Sequence, residues 1–500
     1  MTTSALDTDV LIVGAGPVGL FLANECARRG LRFRIIEDDA TQSEHSKALA
    51  IFPRTLEVFD MAGLVAPFLE AANPVTAVTV MSGEHRLASM HFAPEGTPYA
   101  FVAMVPQNVT EQLLLEALRH KGVNVEYETS FVAADQHDGY VTATLDHKGK
   151  TSQINASFLV GCDGAHSAVR HFLDIPFEGA EYKAAFMLGD LETNEAFPAS
   201  ELLLCSSQSG PLAIFPMSAT RRRMVATVDR QEGDAPSLEL VQKIVAERAP
   251  AAFKVTGLNW SSYFHIHHRH CSHLREGRCF IAGDAAHIHS PFGGQGMNTG
   301  LQDAWNLIWK LDLFLHGHGN EQLLDSYNAE RLPVIKGVIA TTDFMTKILG
   351  TPNKIVEALR DTVIPMVSRL APFHHAFVRR LSELGIAYRG SPIIEGPGNR
   401  YFDESLRGGD GIGRRFVLIF DESANDETRR SANQMCQQFP DVIELRQSSH
   451  PGITLVRPDG YIAYSGATSG GISALDVVRL LLEKQTGSSH SVPSRSPRVA

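Results

Sequence analysis

The stretch DVLIVGAGPVGLFLANECARRGLRFRIIEDD, residues Asp9–Asp39, decides the fold class of this chain. It opens with a short apolar run, Val10–Val13, of the kind that forms buried parallel strands. A glycine-rich turn follows, and then apolar residues recur at helical spacing as far as Gly30. A second apolar segment, Phe33–Ile36, ends at Glu37. Strand, turn, helix and strand within about 30 residues make a βαβ unit and predict an α/β fold.

The turn in this unit has the pattern of a dinucleotide site. Gly14 permits a tight turn, Gly16 lets the backbone approach a pyrophosphate, and Gly19 lets the helix pack closely on the strand. The phosphates would lie at the helix N-terminus, where free N–H groups favour negative charge. Glu37, about 20 residues on, would accept hydrogen bonds from the adenosine ribose, which indicates FAD or NAD rather than NADP.

Other residues of the same unit leave alternatives open. Pro17 and Val18 lie inside the turn and are expected to contact the same dinucleotide, while Asp38 is a weaker candidate than Glu37 for the ribose. A glycine turn that only shapes an α/β protein is the structural alternative. The turn by itself does not distinguish FAD from NAD.

Composition narrows the class of protein. The chain has 500 residues, enough for about two to four domains, and its net charge of −11 disfavours a non-specific nucleic-acid surface. The six cysteines are scattered without Cys-x-x-Cys spacing, so they predict neither a zinc knuckle nor a redox dithiol but a reduced, cytoplasmic protein. We expect no signal peptide and no membrane span, since no apolar stretch approaches the length of about 18 residues that a span needs.

The remaining pattern mixes helices and strands. Residues Gln107–Gly122 predict a helix, and strands are predicted at Val123–Tyr127 and Val141–Leu145. An antiparallel block follows, then a helical region from Gln322 to about Leu384. The last part predicts strands at 414–420 and within 452–464, the second a hairpin around Pro-Asp-Gly, and a final helix. The antiparallel block comprises Leu202–Leu204, Leu212–Met217 and Met224–Val228.

Two further motifs carry a family resemblance. GCDGAHSAVR (Gly161–Arg170) and AGDAAHIHSPFGGQGMN (Ala282–Asn298) resemble the signature motifs of class A flavoprotein aromatic monooxygenases, the para-hydroxybenzoate hydroxylase family. Together with the N-terminal glycine motif they occur in the family's order and spacing, over roughly residues 8–345. The resemblance implies a Rossmann-like FAD-binding domain interleaved with a substrate domain of mixed or antiparallel sheet. The expected FAD-binding domain is discontinuous (1–75, 105–175 and 270–345), the substrate domain covers 76–104 and 176–269, and 346–396 is a helical connection.

The resemblance also implies cofactor roles by position. Asp284 would hydrogen-bond the FAD ribityl chain, and Asp163 would serve both FAD and the nicotinamide cofactor. Arg170 is a candidate nicotinamide contact, and Gln107 matches a glutamine on the FAD side. Lys47 stands where many relatives have an FAD-binding arginine, although an ammonium cannot make the same forked contact.

The flavin ring itself would lie against residues Pro291–Asn298. The N–H groups of Met297 and Asn298 would face the N1/C2 edge of the ring, and glycines such as Gly294 and Gly296 let the backbone approach a flat ring. Reduced flavin carries negative charge at N1, which a helix N-terminus stabilises. A helix from Asn298 onward, with Asn298 or Thr299 as N-cap, is therefore expected.

Several other residues in this region receive structural interpretations. His287 and His289 lack further ligands at metal-site spacing, and the histidines of His265–His273 would be split between the two faces of a strand, so no metal is expected. No G-x-S-x-G elbow is present. We expect Asp303 to be an exposed acid in the first helical turn. Trp305 and Trp309 are expected to be packing residues.

The C-terminal block, residues 397–485, resembles the thioredoxin-like domain appended to phenol hydroxylase and polyketide hydroxylases. It lacks Cys-x-x-Cys, so we expect packing or a subunit contact, as in a homodimer, rather than redox chemistry. Residues 486–500 are rich in serine and proline, and a disordered tail is expected there.

The resemblance implies an FAD-dependent monooxygenase that uses NADPH or NADH and O2 to hydroxylate a phenolic or polycyclic aromatic substrate through a flavin C4a-hydroperoxide. The cofactor carries the difficult chemistry, which fits the lack of a nucleophile motif. Baeyer–Villiger or epoxidising oxygenation, or flavin binding without turnover, are the alternatives. The expected substrate walls are Tyr99–Gln107, Leu202–Met217 and the Pro291–Phe292 turn.

Overall fold

The structure is a computed structural model of the full chain. It describes residues 6–42, 48–207, 209–228, 231, 233–289, 293–350, 371–411, 413, 415–422, 424–448, 452–466 and 471–486. Lys47, Pro291, Phe292 and the predicted tail from residue 487 onward lie outside these ranges. None of the helices in the described part of the chain combines the length and the apolar character that crossing a membrane requires.

A seven-stranded sheet carries the N-terminal motif, and its central strands are parallel. β1 pairs in parallel with β2 on one side and with β10 on the other, and β10 continues to β17. β9 and β8 extend β10 in antiparallel fashion. The strands of this sheet are β1 (Thr8–Val13), β2 (Phe33–Ile36), β8 (Thr129–His137), β9 (Tyr140–His147), β10 (Lys150–Gly161), β16 (Arg275–Glu276) and β17 (Cys279–Ile281).

The predicted βαβ unit is confirmed: β1 is followed by helix α1 (Pro17–Arg28) and then by β2. The predicted strand at Val123–Tyr127 is wrong, because only Glu126 forms an isolated bridge, to Ile36. The other helices of this half are α2 (Pro53–Met61), α3 (Val65–Ala71), α4 (Gln107–His120), α5 (Ala168–Phe172), α7 (Gly296–Leu315) and α8 (Glu321–Gly350). A 3-10 turn, Gly283–Ala285, follows β17.

An eight-stranded sheet of mainly antiparallel strands forms the second layer, with α6 (Leu238–Arg248) beside it. The predicted antiparallel block is confirmed in β12, β13 and β14. The strands are β5 (Ala77–Ser82), β6 (His85–His91), β11 (Phe177–Thr193), β12 (Glu201–Ser206), β13 (Leu212–Pro216), β14 (Arg221–Val228), β15 (Val255–Cys271) and β18 (His287–Ile288). A small three-stranded sheet comprises β3 (Ala50–Ile51), β4 (Asn73–Val75) and β7 (Val102–Met104).

Helix α9 (Ala371–Leu381) leads into a C-terminal unit built on a four-stranded sheet. Its strands are β19 (Phe416–Asp421), β20 (Ile443–Ser448), β21 (Ile453–Val456) and β22 (Ile462–Gly466), and its helices are α10 (Asp426–Gln438) and α11 (Gly471–Thr486). The hairpin of β21 and β22 and the final helix are as predicted. The likeness of this unit to thioredoxin and the domain limits given above remain predictions.

The C-terminal unit is joined to helix α7 by a buried polar cluster. Arg457, at the end of β21, forms ion pairs with Glu330 (2.5 Å) and with Asp459, and all three side chains are fully buried. Lys310 on α7 pairs with the same Glu330 at 2.8 Å. Trp305 Nε1 donates to the Asp459 carbonyl at 3.0 Å.

Trp305 and Trp309 are packing residues, as predicted. Trp305 lies in the core of the parallel sheet, and Trp309 lies in the core of the C-terminal unit. Helix α7 is therefore shared between two cores.

Candidate functional site

The glycine turn after β1 is closed by backbone contacts. Gly14 has φ +100°, and a Cβ there would lie 2.5 Å from the carbonyl oxygen of Cys162, the residue after β10. A Cβ on Gly19 would overlap the Gly14 carbonyl oxygen. A Cβ on Gly16 would meet no atom within 4 Å, so this side of the turn is open. The two closed positions build the turn, and the open one leaves room for a ligand at the start of α1.

The N-terminus of α1 has no side-chain cap. Gly16 is the N-cap residue, and Pro17 occupies the first helical turn without making a cap hydrogen bond. The leading N–H groups of a helix, here those of Val18 and Gly19, have no partner inside the helix. This arrangement fits a pyrophosphate.

Glu37 stands where β2 ends, next to the turn. Its Oε2 accepts a hydrogen bond from the Ala15 N–H at 2.6 Å, and its Oε1 accepts a weaker one from Asp39 N–H at 3.3 Å. The side chain is half-buried, so it can still reach a ribose. Asp38 is exposed and accepts a hydrogen bond from the Ser130 hydroxyl, away from the turn.

In the Gly161–Arg170 motif, Asp163 organises its own loop. Its carboxylate accepts from the Ser167 hydroxyl at 2.6 Å and from the Val169 N–H at 3.1 Å, which fixes the start of α5. Arg170 is 2% exposed, donates to the carbonyls of Ala285 (3.0 Å) and Ala165, and stacks 4.0 Å above the Phe177 ring. These contacts favour a structural role for Arg170 over the predicted contact with the nicotinamide cofactor.

The turn after β17 brings the second half of the site to α1. Asp284 is exposed on the 3-10 turn, and its contact with the ribityl chain stays a prediction. A Cβ on Gly283 would lie 2.8 Å from Val18 Cγ2, and one on Gly300 would lie 2.7 Å from the same atom. Val18 therefore contacts both the turn and α7, and these contacts hold the N-termini of α1 and α7 near each other.

The predicted N-cap of α7 is wrong. The helix begins at Gly296, with Gln295 as the N-cap residue and no side-chain cap. The Asn298 side chain binds other segments instead: its Oδ1 accepts from Phe52 N–H at 2.9 Å, and its Nδ2 donates to the Ala50 carbonyl at 2.8 Å. The amide of Asn298 is used to tie the start of α7 to β3, which leaves the N–H groups of this helix start uncapped.

The predicted flavin-ring segment follows a tight path just before α7. Gly294 has φ +61°, which favours glycine, and a Cβ there would lie 3.6 Å from the Phe52 ring. Asn298 Nδ2 also donates to the Gly294 carbonyl at 3.1 Å. Met297 is nearly buried, and its backbone N–H, like that of Gly296, belongs to the uncapped first turn.

The prediction for Asp303 is wrong as well, because this carboxylate is fully buried. Arg331 Nε contacts it at 2.6 Å, His287 Nε2 at 2.9 Å, and the Gly283 N–H donates to it at 3.2 Å. Burial alone would raise the pKa of Asp303, but the charge of Arg331 and the bonds to Arg331 and His287 lower it. Asp303 therefore holds the Gly283 turn against α7 and α8.

Gln107 begins α4 beside the segment that leads to β3. Its Oε1 accepts from the Ala48 N–H at 3.2 Å, and its Nε2 donates to Glu111 at 2.9 Å. Gln107 thus fixes Ala48, the residue that follows Lys47. Lys47 itself, Pro291 and Phe292 lie outside the described residues.

Sequence reasoning missed three residues that build this site: Gly283, Gly300 and Arg331. A glycine inside a predicted helix, as at Gly300, was the available signal for close packing. Arg331 carried no such signal, because its partner Asp303 lies on another helix.

The histidine-rich segment is a strand as far as Cys271, as predicted: β15 contains this part and pairs with β11. Within the described ranges, no group of three or more His, Cys, Asp or Glu residues is arranged to hold a metal ion.

Comparison with known proteins identifies the family of the chain. Residues 7–342 match the model of the FAD binding domain family. The chain is 33% identical to 6-methylpretetramide 4-monooxygenase of Streptomyces rimosus, with 94% of this chain and 93% of that protein covered. It is 30% identical to a rifampicin monooxygenase of Streptomyces venezuelae, with 92% of this chain and 95% of that protein covered.

Among solved structures, the anhydrotetracycline hydroxylase OxyS from Streptomyces rimosus superimposes with a TM-score of 0.77 at 28% identity, over 96% of this chain and 99% of that one. The family, the relatives and the fold agree with one another. The chain belongs to the FAD binding domain family and is an FAD-dependent aromatic monooxygenase.

Proposed function

We propose that this monooxygenase hydroxylates a polycyclic phenol, with NADPH or NADH as reductant and O2 as the source of the oxygen atom. The relatives named above are monooxygenases of 6-methylpretetramide and rifampicin, and both act on polycyclic aromatic compounds. A substrate of that class would have to lie beside the flavin ring, in a site that excludes water.

The observation that carries the proposal is the meeting of two uncapped helix starts. The N-termini of α1 and α7 are brought together by Val18, Gly283 and Gly300. One helix start suits the pyrophosphate, and the other suits the negative charge that reduced flavin acquires.

The residues fit FAD as follows. Gly14, Gly16 and Gly19 would shape the pyrophosphate turn, with Glu37 on the adenosine ribose and Asp284 on the ribityl chain. Bound FAD would take electrons from the nicotinamide and activate O2. The protein would orient the ring through the backbone of Gly294–Asn298.

An apolar cluster supports a substrate position next to that ring segment. Phe52 borders Gly294 and packs in one cluster with Val102 and Met104, which belong to the predicted substrate wall Tyr99–Gln107. The second predicted wall contributes Leu202, Phe215 and Met217 to the same cluster. A buried apolar cluster in this position would keep water away from an aromatic ring bound beside it.

The test is NAD(P)H oxidation by the purified yellow protein with a panel of phenols and polyketides under 18O2. A hydroxylated product that carries one 18O atom and keeps its ring system supports the proposal. A lactone or an epoxide would establish the other oxygenation chemistry. Hydrogen peroxide as the only product with every panel member would overturn the proposal.

The site assignment has its own test, with Asp284→Asn compared with Asp325→Asn, an exposed acid on α8. Weaker FAD retention only in the first variant supports the assignment. Equal retention of FAD in both variants would count against a ribityl contact.

A further inference from the structure

A cavity is lined by residues that belong to neither the proposed flavin site nor the predicted substrate walls. It has a volume of about 600 Å³ and is bounded by residues 93–95, by α9 and the turn that follows it, and by residues 399–402. None of the predicted flavin residues or substrate walls lines it. Its volume is in the range of small-molecule sites, roughly 300–1,000 Å³.

Basic side chains outnumber acidic ones in the polar lining of this cavity, which also includes Ser382, Asn399 and Tyr401. Arg379, Arg400, His374 and His375 face it, and Glu95 is its acid. Arg379 is exposed and forms no ion pair with any part of the chain that the structure describes. The neighbouring Arg380 differs, because it donates to the Gly337 carbonyl at 3.2 Å and to the Thr341 hydroxyl.

The charge of Arg400 is only partly neutralised. Its side chain is 12% exposed, and its Nη1 lies 3.3 Å from Glu57 Oε1. Arg54 pairs with the same carboxylate at 3.0 Å, so two guanidinium groups share one acid. Burial lowers the pKa of Arg400, and the charges of Arg54 and Arg379 lower it further, while Glu57 raises it.

The carboxyl group of Glu383 does not supply the negative charge that would balance these arginines. Glu383 lies between the lining residues Ser382 and Leu384, and burial raises its pKa to about 8. It is therefore mostly neutral at pH 7. The guanidinium groups of Arg54, Arg379 and Arg400 thus outnumber the two nearby carboxylates, Glu57 and the exposed Glu95. A partly buried positive charge without a full partner destabilises the folded protein.

The other walls are apolar and include Val378, Leu384, Ile386 and Phe402. Val378 also belongs to the buried apolar cluster that contains Phe52. A ligand with one anionic group and an apolar body matches both kinds of wall.

We propose that this cavity binds a small organic anion, a carboxylate or a phosphate ester with an apolar body, with Arg379 and Arg400 as the anion contacts. The anionic group would come from one of two sources, an acidic ligand or the nicotinamide cofactor. Binding of the nicotinamide cofactor here rests on the proposed function, whereas binding of an acidic ligand does not.

Calorimetry on the FAD-loaded, full-length protein tests the proposal. The probes are 1-naphthoate, 1-naphthyl phosphate and the neutral 1-naphthalenemethanol. We expect Arg379→Gln to weaken binding of the two anions roughly tenfold or more, the loss typical of a hydrogen bond to a charged group. Arg380→Gln, with the same charge change on the next residue, should leave the Kd within about twofold of wild type.

The source of the anion is separated by the KM values of Arg379→Gln for NADPH and NADH. A higher KM for NADPH alone identifies the 2′-phosphate, and a higher KM for both identifies the pyrophosphate. Unchanged KM values with loss of 1-naphthoate binding identify an acidic ligand. The proposal is overturned if wild type binds neither anion saturably, or if the two arginine variants bind them equally. Calorimetry needs no turnover, so this failure is distinct from failure to oxidise NAD(P)H.

Discussion

At the scale of single residues, Gly300 decides how closely two helices can approach. A methyl group there would lie 2.7 Å from Val18 Cγ2 and 2.9 Å from the Gly283 Cα. Neither neighbour can move freely, because Val18 is in the first turn of α1 and Gly283 is held by Asp303. The absence of a side chain at Gly300 therefore permits the close approach of the two helix starts that would hold the flavin.

We predict that Gly300→Ala loosens FAD. The added methyl group should separate α1 from α7 and destabilise the fold by about 1–3 kcal/mol, as overpacking does. Gly337→Ala on α8 is the control, because a Cβ there meets nothing within 4 Å. That variant should be stabilised slightly, by about 0.5–1 kcal/mol. The measurements are the flavin-to-protein absorbance ratio after gel filtration and the Tm; equal flavin loss in both variants would contradict the prediction.

The buried carboxylate of Asp303 gives a second prediction at this scale. Asp303→Asn would leave the fully buried Arg331 without its charge partner, which should cost about 3–5 kcal/mol at pH 7. The folded pKa of Asp303 is lowered, so its stabilising effect is present above the unfolded value of roughly 4 and is lost as pH falls below it. The difference from wild type in urea unfolding should therefore narrow in acid.

Asp325→Asn is the matched control for Asp303→Asn. Asp325 also pairs with an arginine, Arg275, at 2.5 Å, but its side chain is 68% exposed. An exposed pair contributes about 0–1 kcal/mol. Equal losses in the two variants would show that burial of the Asp303 pair does not matter.

At the scale of elements, the end of α9 is shaped by an unusual glutamate. Glu383 has φ +62° although it is not glycine, and its side chain is 2% exposed. Gln302 on α7 donates to its carboxyl at 2.5 Å, and the Arg54 N–H donates to the Ser382 carbonyl at 3.2 Å. The turn after α9 is thus bound to both α7 and α2.

We predict that Glu383→Gln increases stability at alkaline pH. Burial raises the folded pKa to about 8, whereas the unfolded value is roughly 4. The folded state therefore holds the proton more tightly, and stability falls as pH rises from about 4 to 8. A neutral amide removes that loss, so the variant should match wild type near pH 4 and exceed it at pH 9. Urea midpoints at both pH values are the measurement, and a pH-independent difference would refute the assignment.

At the scale of the whole molecule, the C-terminal unit braces helix α7, which begins at the proposed flavin site. In its Arg457–Gly460 turn, Arg457 forms an ion pair with Glu330 on α8. The Asp459 carbonyl in the same turn accepts hydrogen bonds from Trp305 on α7 and Arg54 on α2. The charge of Arg457 holds the pKa of Glu330 well below its usual range against the effect of burial. A packing role was expected for this unit, and these contacts specify where the packing occurs.

We predict that Arg457→Met loosens the C-terminal unit. Glu330 would keep only Lys310 as its cation, and the loss of one partner of a buried pair should cost about 3–5 kcal/mol. Limited proteolysis should then release a fragment that begins near residue 397, and FAD should be retained less well. Arg479→Met, an exposed arginine that pairs with Asp476 at 2.9 Å, is the control and should resist proteolysis as wild type does.

The local sequence alone determined the βαβ unit and its glycine turn. Periodicity and turn chemistry act over neighbouring residues, so β1, α1 and β2 and the roles of Gly14 and Gly19 in the turn could be predicted. The family resemblance added the order of the motifs and the FAD cofactor, because those depend on short strings that stay together in the chain.

Only the tertiary structure decided which polar residues are buried and which helix starts meet. Asp303 looks like a surface acid because its partner Arg331 is 28 positions away, and Asn298 looks like a cap because its partners are about 250 positions away. The charge of the cavity beside α9 likewise comes from Arg379 and Arg400, which lie on different segments of the chain, and Arg54 competes with Arg400 for Glu57. Burial and ion pairing are set by long-range packing, and no local pattern in the sequence specifies them.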